Sequence, residues 1–322
     1  MRQIRSTYIS ATQENYLRIR SDFMGCYLVI HAWGVIAASM ALFISMPNPL
    51  TFIIAFILIG GRQLGLAILM HDAAHRLLFK NKRLNDKIGS YLCGDPIGAD
   101  INLYRPYHLS HHQNTQQDND PDLSLSQAFP ISKKSFKRKM IRDLFGITGY
   151  YRRLYQFKAA FNEKESLQAN LKHLLQTEKR FFLSNLCLLV ILTSLGVWWA
   201  YLLLWVLPLL TWYQLISRIR NIAEHAVVGD KDDPLRNTRT TYANLFTRLL
   251  WAPYWVNYHL EHHLFVFTPC WKLPTAHQYL KVNGFLNKME FEKNYSEVIR
   301  KATSEPDNSS TTKGKPIKGS MI

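Results

Sequence analysis

Two stretches of this chain, Met24 to Gly61 and Phe181 to Ser217, contain no charged side chain at all. Each is far longer than one buried helix of a soluble protein requires. At about 1.5 Å per residue the second would extend roughly 55 Å as a single helix, close to twice the ~30 Å hydrocarbon core of a bilayer. Each block therefore reads as a helical hairpin that crosses and returns. Pro47-Asn48-Pro49 supplies the turn of the first, and Trp198-Trp199 with Tyr201 mark a membrane interface at the turn of the second. The expected fold is all-α and integral to the membrane, with four transmembrane helices in two hairpins over about 24–46, 50–70, 181–197 and 199–217.

The charges fall outside these blocks. The 322 residues include 39 Lys and Arg against 23 Asp and Glu, a formal charge of +16 and an isoelectric point near 9.7. Such a balance suggests nucleic acid, but its distribution points elsewhere. Arg62 alone among the basic residues lies inside an expected span, just past the end of the first uncharged run, and the others precede Met24, lie between His71 and Arg180, or follow Ser217. Both hairpin turns lack positive charge, so the positive-inside tendency places the termini and the long middle segment in the cytoplasm. A basic cytoplasmic face explains the net charge without nucleic acid, and no RNA-binding signature or zinc-finger spacing accompanies it.

Residues 1–23 are too charged for a signal-peptide core, so the first block is expected to stay as a span. Residues 24–301 then form one membrane domain, and 302–322, rich in Ser, Thr, Lys, Pro and Gly, are expected to be a disordered tail. Between Ile131 and Lys179, basic clusters alternate with Ile141, Leu144, Phe145, Tyr150, Tyr151, Leu154, Tyr155 and Phe157. That pattern suits helices lying in the membrane interface and, equally, amphipathic helices covering a cytoplasmic cap. Cys26, Cys93, Cys187 and Cys270 are widely separated and read as reduced thiols.

Nine of the twelve histidines fall in four short windows: His71 and His75; His108, His111 and His112; His225, preceded by Asn221; and His259, His262 and His263. Residues three and four apart share a helix face, so each window presents its imidazoles in one direction. Three or four protein ligands suffice for a zinc or iron ion, and nine are enough for two metals. Imidazole alone suits zinc, copper, iron and nickel alike. His71 and His75 sit where the second span runs out of apolar residues, and Asn221 and His225 hold the corresponding place after the fourth. All four windows can meet just below the bilayer surface, on the cytoplasmic side.

The order and spacing of His71-Asp72-Ala73-Ala74-His75, of His108-Leu109-Ser110-His111-His112 followed by Thr115 and Asp120-Pro121-Asp122, and of His259-Leu260-Glu261-His262-His263 resemble the three histidine boxes of the integral-membrane fatty acid desaturase and hydroxylase superfamily. The resemblance covers roughly Met24 to Leu280. It implies two iron ions cycling between Fe2+ and Fe3+, with dioxygen as co-substrate, held by the eight box histidines and His225. It implies further that Asn221 reaches a metal through water. No catalytic residue beyond the metal ligands is implied. The first box has three intervening residues, a variant that occurs in the superfamily, and the third begins with histidine rather than glutamine. No His-Pro-Gly-Gly segment of a fused cytochrome b5 is present, so electrons are expected from a separate protein such as ferredoxin or cytochrome b5. The substrate implied is a membrane lipid or acyl-carrier chain.

Removing hydrogen from an unactivated alkyl carbon is beyond any amino-acid acid or base and needs a cofactor that activates dioxygen. Desaturation of an acyl chain is the leading reading. The alternative within the same superfamily is hydroxylation or ketolation of a lipid, carotenoid or small apolar molecule, and a zinc-dependent membrane hydrolase or metal transporter is the alternative of another class. A hydrolase needs fewer ligands, and a transporter would place its ionisable groups within the spans. Asp72, Asp118, Asp120, Asp122, Glu224 and Glu261 are candidates to orient ligand rings from behind, or are solvated caps. His31, His173 and His277 read as structural. Arg62 and Gln63, inside the second span, are either functional or a buried polar pairing.

Overall fold

The computed structural model describes residues 7–162 and 164–306. Helix α1, Asp22–Ser45, starts where the Ser21 hydroxyl accepts from the Met24 amide. It ends at the Pro47-Asn48 turn. Asn48 then caps α2, Pro49–Ala74, accepting from the Leu50 and Thr51 amides at 3.0 and 3.1 Å, with Pro49 in the first turn where its missing N–H costs nothing. These two helices pack antiparallel through Ala32, Ile36, Met40, Ala55 and Ile59, while Phe23, Tyr27, Ile30, Leu50 and Ile53 face outward. Large apolar side chains exposed on the outside are what a hydrocarbon solvent favours.

A helical segment over 82–97, widened to π-helix across Gly89–Gly94, leads to α3, Ile101–Asn114, and then to three amphipathic helices, α4 (Lys133–Leu144), α5 (Ile147–Lys158) and α6 (Leu167–Thr177). Their exposed faces carry Phe145, Tyr150, Tyr151, Tyr155, Leu167 and Leu175. Helix α7, Lys179–Ser194, turns at Gly196, whose φ of +77° suits only glycine at low cost, into α8, Tyr201–His225. Pro208 interrupts the ladder of α8, which opens as π-helix over Tyr201–Val206 and bends at Thr211. The Trp205 carbonyl accepts instead from Gln63 Nε2 at 2.8 Å. Asn185 of α7 is satisfied in the same layer by the Trp205 indole N–H, the Tyr201 hydroxyl and the Pro96 carbonyl.

Among the described residues, three helices, α1, α2 and α8, are long and apolar enough to cross a membrane. The crossing expected over 181–197 is shorter than the uncharged run suggested. Gly196 and the Trp198-Trp199 turn take residues from it, and the remaining 16 residues of α7 reach only about 24 Å. The apolar block thus holds one full-length helix and one short one.

The C-terminal part covers the ends of α2 and α8. Helix α9 spans Leu245–Leu250, α10 His259–Leu264, α11 Leu273–Val282 and α12 Tyr295–Ala302. Thr240–Thr241 and Phe291–Glu292 pair as a short parallel ladder. Ala302, expected to open a tail, closes α12, and Glu305 bridges to Ser132; residues 307–322 of the expected tail lie outside the described residues. The four cysteines are free, as the sequence reading held.

One buried ion pair ties the amphipathic layer to α8. Arg218 donates twice to Asp143, at 2.5 and 2.9 Å, and the Thr148 hydroxyl completes that carboxylate. Asp143→Ala should therefore lower stability by about 3 kcal/mol, because it leaves a partly buried guanidinium unpaired. The double variant Asp143→Leu/Arg218→Met should recover most of that loss, with thermal unfolding in detergent as the measurement.

Candidate metal centre

Helix α2 carries His71 on its last turn, and His75 forms its C-cap one turn later. Helix α3 carries His108, His111 and His112, α8 ends on His225, and the six-residue α10 carries His259, His262 and His263. The structure brings all nine together as two groups. His71, His75, His108, His112 and His262 each offer a ring nitrogen within 4.8 Å of the others, and so do His111, His225, His259 and His263. The grouping cuts across the sequence windows. Helical rotation explains why: on one broad face, i+4 lies about 40° round from i in one sense and i+3 about 60° in the other, so three such rings fan out far enough to serve two adjacent pockets. His108 and His112 stay together and His111 crosses over; His259 and His263 stay together and His262 crosses back. The rings of His112 and His263, one from each group, lie 4.2 Å apart at the junction.

The chemistry of the donor set fits cations. Nε2 of His112 lies 2.9 Å from Nε2 of both His108 and His262, and Nε2 of His259 lies 2.8 and 3.0 Å from Nε2 of His225 and His263. Burial pushes His108, His112, His259, His262 and His263 well below the usual histidine range, with neighbouring imidazoles adding to it. His75 is pushed down to about 3 by burial, reinforced by Arg105. These six rings are thus neutral at pH 7, and the Nε2 atoms of five of them lie in close contact with another imidazole. The buried Nε2 atoms of His71, His75 and His111 have no hydrogen-bond partner. A bound cation in each group would satisfy these atoms together.

Behind the rings the carboxylates divide. Asp120 Oδ1 lies 2.7 Å from His111 Nδ1, with Asp122 Oδ2 at 3.8 Å. Backbone amides of Gln116 and Asp122, both at 2.8 Å, hold Asp120 in place. Glu224 Oε2 lies 3.5 Å from His259 Nδ1, and Arg220 Nε donates to Oε1 of the same carboxylate at 2.6 Å. An acceptor on Nδ1 fixes the tautomer that leaves Nε2 free to bind metal. Asp72 and Glu261 do otherwise, although they adjoin ligands in sequence. Asp72 accepts from the Cys270 amide, and Glu261 accepts from the Thr240 hydroxyl and meets His277 Nδ1 at 2.6 Å. Asp118 is exposed.

Other residues gain roles that the spacing did not signal. Thr115 Oγ1 lies 3.2 Å from His263 Nδ1, and Tyr104 stacks on His108 with centroids 4.9 Å apart. His277, Thr240 and Arg220 brace the carboxylates, yet the first two stand too far along the chain for any local pattern to show it. Asn221 is half-buried one turn before His225 and, among the described residues, forms no side-chain hydrogen bond to the histidines. His31 meets the Tyr254 hydroxyl at 3.0 Å, away from both groups. Arg62 is a buried pairing, donating to the Leu249 carbonyl at 2.8 Å beside the Tyr254 ring.

Comparison with known proteins agrees with this geometry. The chain is 28% identical over 263 residues to the dihydrorhizobitoxine desaturase of Bradyrhizobium elkanii, covering 79% of this chain and 74% of that protein. It is 27% identical over 247 residues to the sn-1 oleoyl-lipid 12-desaturase of Synechocystis sp., covering 71% and 68%. It is also 25% identical over 264 residues to the beta-carotene ketolase of Paracoccus sp. strain PC1, covering 80% and 90%. The profile of the fatty acid desaturase family matches residues 47–285, a span that holds all nine clustered histidines. The chain is a membrane oxidoreductase and belongs to the fatty acid desaturase family.

Proposed function

We propose that this protein is a dioxygen-dependent desaturase that introduces a double bond into the alkyl chain of a membrane lipid. The observation that carries the reading is the pair of buried imidazole groups, built jointly by all four windows and tied by the 4.2 Å approach of His112 and His263. In this reading two iron ions are held, one by His71, His75, His108, His112 and His262, the other by His111, His225, His259 and His263. When bound, they supply the dioxygen-activating redox chemistry that removes hydrogen from an unactivated carbon.

The chain's own residues do the rest. Asp120 holds His111 in the metal-binding tautomer, and the Glu224 charge stands behind His259. Tyr104 packs against His108 and limits water beside the first group. Asn221 contacts the second group through a water, as a weaker partner than His225. A separate electron donor, a ferredoxin or a cytochrome b5, docks on the cytoplasmic face. In this topology α7 completes a fourth crossing with its flanking residues, residues 24–301 form one domain, and the histidines face the cytoplasm. The concentration of Lys and Arg outside the uncharged blocks supports that orientation.

A second reading, oxygenation to an alcohol or ketone, is favoured by the similarity to a beta-carotene ketolase over most of that protein. Both reactions begin with loss of one hydrogen, and the position of the substrate decides whether a second follows. Lipid and carotenoid profiling of a host expressing the chain separates them. A new double bond, absent with His262→Ala, is the result expected; a new hydroxyl or keto group dependent on His262 would replace the first reading by the second.

Elemental analysis of protein reconstituted with ferrous iron should find two metals per chain, and one metal at full activity would overturn the two-iron reading. His225→Ala should lose both iron and rate. Asn221→Ala should keep most of the iron and lose roughly tenfold or more in rate, as changes behind a metal's direct ligands do. For topology, a reporter at Asn48 should read the side opposite to one at Lys134, and agreement between the two would reject the hairpin arrangement.

A further inference from the structure

Helix α9 and the chain following it run against the middle of α2. A Cβ on Gly61 would come within 2.8 Å of the Leu250 carbonyl oxygen, and one on Gly65 within 2.7 Å of the Tyr254 ring. Glycine at both positions opens the groove that this segment occupies. Arg62, 3% exposed, donates from that groove to the Leu249 carbonyl at 2.8 Å. The Tyr254 hydroxyl reaches α1, lying 3.0 Å from His31 Nδ1 and 3.3 Å from the Leu28 carbonyl.

Those anchors fix a depth. Counting from Met24, where the uncharged run of α1 begins, His31 lies roughly 10 Å inward at 1.5 Å per residue. Counting from Pro49 at the other end of α2, Arg62 lies roughly 20 Å inward, which leaves about 10 Å of a ~30 Å hydrocarbon core on the histidine side. The two helices give the same answer. On the outer face of the segment, Leu245 is 81% and Phe246 64% exposed.

We propose that residues 242–255 form a re-entrant wedge that enters the hydrocarbon core beside α2 and returns, and that bilayer acyl chains are the partner of its exposed apolar face. The proposal rests on the membrane reading of α1 and α2. Backbone at this depth must find its hydrogen bonds within the protein, and several of its groups do. Asn244 caps the start of α9 through the Thr247 amide at 2.8 Å, the Thr247 carbonyl takes the Trp251 and Ala252 amides, and Arg62 takes the Leu249 carbonyl. The segment's single charged residue, Arg248, lies 5.0 Å over the Trp255 ring. Tyr254 and Trp255, with φ of +50° and +58°, then reverse the chain toward α10. Two successive left-handed residues without glycine persist only where surrounding contacts hold them. The wedge thus ends four residues before His259, and a lipid-facing surface is joined directly to the ligand-bearing helix.

The test uses the full chain with exposed Cys26 and Cys187 replaced by serine. A single cysteine at Leu245→Cys or Phe246→Cys carries an NBD fluorophore, and the protein is reconstituted in phosphatidylcholine vesicles. Those vesicles contain phosphatidylcholine bearing a nitroxide on the headgroup or midway along an acyl chain. Both residues are exposed, so neither label displaces a packed neighbour. Ile30→Cys, 70% exposed on α1, reports the bilayer interior, and Lys281→Cys reports the aqueous surface. The mid-chain nitroxide should quench the labels at 245 and 246 about twice as strongly as the headgroup nitroxide, as expected for a site well inside the ~30 Å core. Stronger quenching by the headgroup nitroxide, or behaviour like that of position 281, would overturn the wedge while position 30 upholds the membrane reading. If position 30 also escapes the mid-chain quencher, the membrane reading itself falls, and the wedge with it.

Discussion

Ring nitrogen faces ring nitrogen at the centre of this molecule. Nine imidazoles are crowded into a buried space, and several of their ring nitrogens have no protein partner. Such an arrangement is unfavourable by itself, since buried acceptors without donors cost about 1–3 kcal/mol each. Everything nearby is arranged to hold the rings there nonetheless. Two long helices end at the same level, α3 lies across them, and α10 closes the remaining side. The Asp120 carboxylate stands behind His111, where it accepts from Nδ1–H and keeps the inward nitrogen bare, and Glu224 stands 3.5 Å behind His259.

Much of this was legible in the chain because it follows from local periodicity. The Pro47-Asn48-Pro49 turn, the helical continuation of the second span through His71 and the gathering of the four windows needed only charge pattern and i, i+4 spacing. The length of α7 was not legible, because an uncharged run does not say how many residues its turn consumes. Gly196 and the two tryptophans decided that. Nor could spacing tell which carboxylates serve ligands. Asp72 and Glu261 adjoin histidines in sequence yet point away from them, to Cys270 and to His277 and Thr240. Helix rotation turns a neighbour in sequence onto the opposite face, and only the tertiary partner reveals its use.

Arg62 illustrates a related limit. A charge inside a span invites a functional reading, but its geometry is structural: it supplies the donor that the short helix α9 lacks at its C-terminal end. The same economy appears at Gln63, which serves the carbonyl of Trp205 where α8 opens near Pro208. In both cases polar side chains in the apolar layer answer to irregular backbone. Neither points at the histidines.

The crossing of the histidine boxes also has a mechanical meaning. His111 leaves α3 toward one pocket while His108 and His112 leave it toward the other, and α10 divides its ligands in the opposite sense. A small turn of either helix about its axis must then tighten one pocket as it loosens the second, like a rocker pivoted between two cups. Neither pocket can be adjusted alone through these helices, so selection on one is at the same time selection on its neighbour. The two sites form a single unit because their ligands share the same two axles.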